Sequence, residues 1–118
     1  MAKKISQTLL EYAAPLLEQM PADASFSQRQ SVLQVVITVW NALVVARWGQ
    51  QDVLPDIYRR LEQLPEPGQS MMREMIDTLV ERKRRLFASD LRAVGQWELR
   101  VKPDGDVSLW AEARGPLP

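Results

Sequence analysis

The chain predicts an α+β fold, mainly α: about four helices around a buried central helix at about 28–48, closed by a C-terminal antiparallel β-hairpin at about 95–114. Three observations predict it. The run Ser31–Trp48 is long and apolar, lacks glycine and proline, and is followed at once by Gly49. On either side of it, apolar residues recur at three- and four-residue spacing. Past Asp90 the period changes to two, with Pro103-Asp104-Gly105 as a turn signal in the middle. A length of 118 residues suits a single domain, 1–118, with a helical part at about 5–88.

In the central stretch Val32, Leu33, Val36, Val39, Trp40, Leu43, Val44 and Trp48 follow helical spacing, and Val35, Ile37 and Val45 widen the apolar surface beyond a stripe. A helix apolar nearly all round is surrounded by protein or by lipid. Gln34, Thr38, Asn41 and Arg47 interrupt it, and such groups are costly in hydrocarbon, so a buried core helix is expected. Its β-branched content makes a buried strand the competing reading, which the length opposes. Ser27 with Gln30 has capping-box spacing, and Gly49 suits a left-handed C-cap.

Ahead of it, Ile5, Leu9, Leu10, Tyr12, Ala13, Leu16 and Leu17 form a first stripe, which Ser6 or Thr8 can cap. Pro15 removes a helical hydrogen bond and crowds the preceding turn, so a kinked or broken helix pair is expected there. After Gly49, Asp52 is positioned to cap a short helix carrying Leu54, Ile57, Tyr58, Leu61 and Leu64, with Pro55 in its first turn. Pro65-Glu66-Pro67-Gly68 breaks the chain. A helix from about Gln69 to Phe87 follows, with Met72, Met75, Ile76, Leu79, Val80, Leu86 and Phe87 on its apolar face and Glu81 spaced to pair with Arg84 or Arg85.

In the last quarter Trp97, Leu99 and Val101 alternate with polar residues, as do Val107, Leu109, Ala111 and Ala113, while Trp110 falls out of phase with Leu109. Two strands leave two edges with free backbone groups. Joining edges across a two-fold axis gives a physical reason to expect a homodimer through the hairpin edge. Arg100, Lys102 and Arg114 equally protect the edges of a monomer.

Composition excludes several chemistries. There is no cysteine and no histidine, so thiolate chemistry, the usual neutral-pH base, most zinc sites and Ser-His or Cys-His nucleophile pairs are absent. No catalytic residue, cofactor or metal ligand set is assigned, and no phosphate-binding glycine loop, dinucleotide fingerprint or zinc-protease motif occurs. Fifteen basic and fifteen acidic residues balance, so no whole-molecule field draws nucleic acid or anionic lipid. Lys3 and Lys4 precede an apolar run, but Gln7, Glu11 and Pro15 break up any signal-peptide core. A cytoplasmic protein with no membrane contact is the expectation.

Three residue groups are candidate sites. Trp97, Trp110 and Arg100 make an interaction surface, since aromatics and arginine are enriched at interface centres. Arg82, Arg84 and Arg85 make a phosphate-contact patch, against the plainer reading of cations complementing a helix C-terminus. Thr38, Asn41 and Arg47 make a polar pocket beside the central helix, against the plainer reading of structurally satisfied polar groups. The leading expectation is a non-enzymatic protein-interaction, adaptor or assembly module, binding a protein partner or itself. A nucleic-acid-binding regulator using the basic helix end 82–85 is the alternative. A small-molecule binder or enzyme with a pocket beside the central helix is the second alternative.

Overall fold

The computed structural model describes residues 3–104 and 106–115. In chain order the elements are α1 (Ile5–Glu18), α2 (Phe26–Arg47), α3 (Leu54–Leu61), α4 (Gly68–Leu86), β1 (Ala93–Val101) and β2 (Val107–Arg114). This is the mainly α, α+β arrangement expected, with β1 and β2 forming an antiparallel two-stranded sheet.

α2 is the middle of the molecule. It contacts α1, α3, α4 and β1, and buries Leu33, Val36, Ile37, Val39, Trp40, Ala42, Leu43 and Val44. By length and composition it is long and apolar enough to cross a bilayer; in this fold those four elements pack around it. The helix starts at Phe26 and its cap is Ser25, two residues before the expected Ser27. Ser25 Oγ accepts from the Gln28 amide at 3.1 Å, and Gln28 Oε1 accepts from the Ser25 amide at 2.8 Å. The same S-x-x-Q spacing occurs at 25/28 and 27/30, and the earlier copy forms the box. At the other end Gly49 takes φ +88°. The Gly49 amide donates to Ala46 O (3.2 Å) and the Gln50 amide to Val45 O (3.1 Å), the paired bonds of a Schellman ending.

α1 runs unbroken through Pro15, against the expected kinked or broken pair. Pro15 has no amide for the carbonyl of Glu11, four residues back. Arg82 on α4 supplies the missing donor: its Nη2 reaches Glu11 O at 2.9 Å and its Nε reaches Tyr12 O at 3.1 Å. Neither Ser6 nor Thr8 caps α1; Lys4 holds the cap position, and buried Thr8 accepts from Arg92 Nη2.

Tyr12, Trp40 and Phe87 join α1, α2 and the end of α4. Their ring centroids lie 5.1 to 6.0 Å apart in edge-to-face geometry. Tyr12 Oη donates to Leu79 O, and burial, outweighing the nearby Arg82 charge, raises its pKa far above the ordinary tyrosine value. One buried cluster draws on α1 to α4 and β1, with Val107, Leu109 and Ala111 of β2 packed against it. α3 is shorter than its stripe suggested, so Leu64 lies beyond it and exposed. Asp52 accepts the Leu54 amide from one position ahead of the cap residue, Val53.

In the hairpin Leu99 pairs with Leu109 and Val101 with Val107, and the register shifts between Val94 and Trp97. The Lys102 amide donates to Asp106 O. Asp104 Oδ1 accepts the Asp106 amide, which stiffens the turn; the expected role of Gly105 there lies outside the described residues.

Candidate functional site

Two side chains of α2, with that of its C-cap residue Trp48, hold the chain entering β1. Trp40 Nε1 donates to Arg92 O (2.7 Å) and Trp48 Nε1 to Leu91 O (2.8 Å). Asn41 binds Val94 from both sides, with Nδ2 donating to its carbonyl at 3.0 Å and Oδ1 accepting its amide at 2.7 Å. An asparagine offers both a donor and an acceptor, so it imitates a neighbouring strand at that residue. Asn41 thereby closes the outer edge of β1 at its start. Arg92 adds a second anchor. It holds the Asp90 carboxylate in a bridge of 2.7 Å and donates to Lys3 O at 2.8 Å. Burial pushes the Asp90 carboxyl up, but hydrogen bonds from Arg92 and the charges of Arg92 and Lys83 hold it below the ordinary carboxylate value.

Further along, no third strand pairs with either edge of the hairpin among the described residues. Antiparallel pairs alternate between bonded and non-bonded positions. The Lys102–Asp106 bond therefore turns the backbone groups of Trp97, Leu99 and Val101 away from β2, and those of Val107, Leu109 and Ala111 away from β1. Among the described residues, no side chain or backbone group bonds to these outward groups. Val101 is 58% exposed.

The structure separates the three candidates for an interaction surface. Trp97 lies on the inner face, half-buried against the core. Trp110 and Arg100 share the outer face. Trp110 is 40% exposed, sits opposite Glu98, and has the Arg100 guanidinium 5.8 Å from its ring centre. Glu98 and Glu112 pair along their own strands with Arg100 (3.4 Å) and Arg114 (4.0 Å).

The polar residues of α2 do not share one pocket. Thr38 and Asn41 line a cavity of about 410 Å³ with Ala42, Val45, Val53, Asp56, Ile57 and Arg60. Exposed Thr38 spends its hydroxyl on Gln34 O, and Asn41 is committed to Val94. Arg47 lines a different cavity, also about 410 Å³, with Leu43, Ala46, Asp52, Lys83, Arg84 and Ala88.

The basic end of α4 divides as well. Arg82 faces α1 and is consumed by the carbonyls at Pro15. Arg85 is exposed and paired with Glu81 at 3.6 Å. Arg84 is exposed and borders the Arg47 cavity. Lys83 points inward and is only 4% exposed. Its ammonium donates to Phe87 O (2.6 Å) and Asp90 O (2.8 Å) and lies 4.4 Å from the centre of the Trp40 ring. Burial, with a smaller push from Arg47 and against the pull of Asp90, lowers its pKa from 10.5 to about 8. No residue grouping in the sequence marked Arg92 as a hub. Lys83, by contrast, falls in step with Ile76, Leu79 and Val80, and that apolar phase was the signal for a buried cation.

Comparisons with protein-family models, with curated proteins and with solved structures find no match for this chain.

Proposed function

We propose that the chain is a non-enzymatic protein-interaction module that takes its partner on the hairpin, by accepting an extended strand along an open edge. The observation that carries this reading is the run of outward backbone groups on Trp97, Leu99 and Val101, which have no hydrogen-bond partner among the described residues. Such a row is a template for strand addition, in which main-chain bonds supply affinity and alternate side chains supply selectivity. Exposed Val101 and the Trp110–Arg100 pair lie beside that row on the same hairpin. They offer an apolar contact and an aromatic–cation contact to whatever pairs there. The anchoring by Asn41, Trp40 and Trp48 favours the same reading, because a strand fixed before binding loses little entropy when a partner adds to it.

A second copy of the chain is the simplest strand donor. Light scattering across a wide concentration range tests this directly. The expected result is a mass that rises from monomer to dimer, with Val101→Pro returning it to monomer. Proline at that position removes an outward amide without touching the bonds between β1 and β2. For other donors, strands selected from a random peptide library bind the native protein and lose binding to Val101→Pro. A monomer at every concentration, together with selected peptides that ignore Val101→Pro, overturns the proposal.

A further inference from the structure

We propose that the cavity between the C-terminal ends of α2 and α4 binds a small phosphate-bearing molecule, with Arg47 and Arg84 as its contacts. The cavity holds about 410 Å³, room for such a ligand rather than for a few waters. Three cations, Arg47, Lys83 and Arg84, border it against one carboxylate, Asp52, although the whole chain is neutral.

The plainer account of these cations is that they complement helix C-termini. The hydrogen bonds argue for more. At the end of α2 the carbonyls of Val44, Val45 and Ala46 already take the amides of Trp48, Gly49 and Gln50. At the end of α4 the Phe87 carbonyl takes the Lys83 ammonium. Neither Arg47 nor Arg84 donates to a backbone carbonyl or meets a carboxylate within ion-pair distance among the described residues, whereas Arg59, Arg85, Arg92, Arg100 and Arg114 each pair with a carboxylate. Arg60 and Arg73 are likewise without such a partner, but neither borders this cavity. Arg47 and Arg84 thus both border this cavity with donor forks not taken up by backbone or carboxylate, although Arg84 also borders the groove of Tyr58, Asp77 and Glu81 on its other side. Guanidinium forks match phosphate oxygens two at a time. Lys83, with its bonds already used, contributes fixed charge beneath them, since a pKa near 8 leaves it protonated at neutral pH.

Titrating inorganic phosphate into the native protein at low salt, followed by calorimetry and by the indole signals of Trp40 and Trp48, tests the site. Saturable one-to-one binding is expected. Arg47→Gln and Arg84→Gln each weaken it roughly tenfold or more, the effect of losing a charge-assisted contact. Asp52→Asn, which keeps the oxygen that accepts the Leu54 amide, tightens it. Arg85→Gln, one residue along but paired with Glu81, leaves it unchanged. No saturation, an Arg85→Gln loss equal to that of Arg84→Gln, or acetate binding as tightly as phosphate overturns the proposal.

Discussion

Arg82 on α4 donates a hydrogen bond to the carbonyl of Glu11 on α1, the acceptor that Pro15 leaves without its amide. A residue that ought to break one helix is thus accommodated by a cation on another. The pair also explains why the basic run at 82–85 is not a uniform patch. Arg82→Met is expected to destabilise the protein by about 1–2 kcal/mol, the lower part of the range for bonds from a charged donor, because the Glu11 bond is exposed and the Tyr12 bond only partly buried. Pro15→Ala restores the amide, and in that background Arg82→Met costs less, by about 1 kcal/mol. A double-mutant cycle in urea measures this. Additive effects show that Arg82 does not serve the proline gap.

Asn41 makes the two bonds that fix the start of β1 to α2. Asn41→Ala leaves the Val94 amide and carbonyl without partners, and about 2–3 kcal/mol of stability is expected to be lost. Asn41→Asp keeps the acceptor but sets a carboxylate oxygen against the Val94 carbonyl, so it costs at least as much as Asn41→Ala. Equal stability of all three in denaturant titration contradicts the strut role.

Lys83 makes stability depend on pH. Its folded pKa, about 8, lies below the ordinary 10.5, so between those values the unfolded chain binds more protons and stability rises with pH. The stability of the native protein relative to Lys83→Met therefore increases from pH 8 to pH 10.5, by on the order of 2 kcal/mol. The difference removes the titration of other groups. Tyr58, pushed up to about 12 by burial and by Asp77, stays neutral through this window. Parallel stability curves rule the effect out.

Gly49 sits at φ +88° with nothing within 4 Å of where a Cβ would stand. Gly49→Ala therefore meets backbone strain and no clash, and a loss of about 1 kcal/mol is expected. Thermal unfolding checks it; an unchanged midpoint means that the ending of α2 relaxes.

The fold was legible because its signals are local. The period change past Asp90, the glycine after Trp48 and the apolar phase of Ile76, Leu79 and Val80 each report on a few neighbouring residues. What escaped depends on pairs far apart in the chain. Pro15 predicts a break until Arg82, 67 residues later, supplies the donor. Asn41 and Arg47 look alike as polar interruptions of α2, yet one meets Val94 and the other a cavity. The strand period already sets Trp97 and Trp110 on opposite faces, and the register agrees, so the two do not make the one interaction surface expected of them.

Asn41 clamps the hairpin to α2 at Val94, and in the proposed function the hairpin is offered to a partner strand at Val101. Amide hydrogen exchange, read residue by residue in dilute and concentrated protein, tests it most directly. The Val94 amide is expected to be protected at every concentration and to lose protection in Asn41→Ala, and the Val101 amide to exchange freely when dilute and slow as the protein associates. A Val101 amide already protected in dilute protein, or indifferent to concentration and to any selected strand, would contradict it.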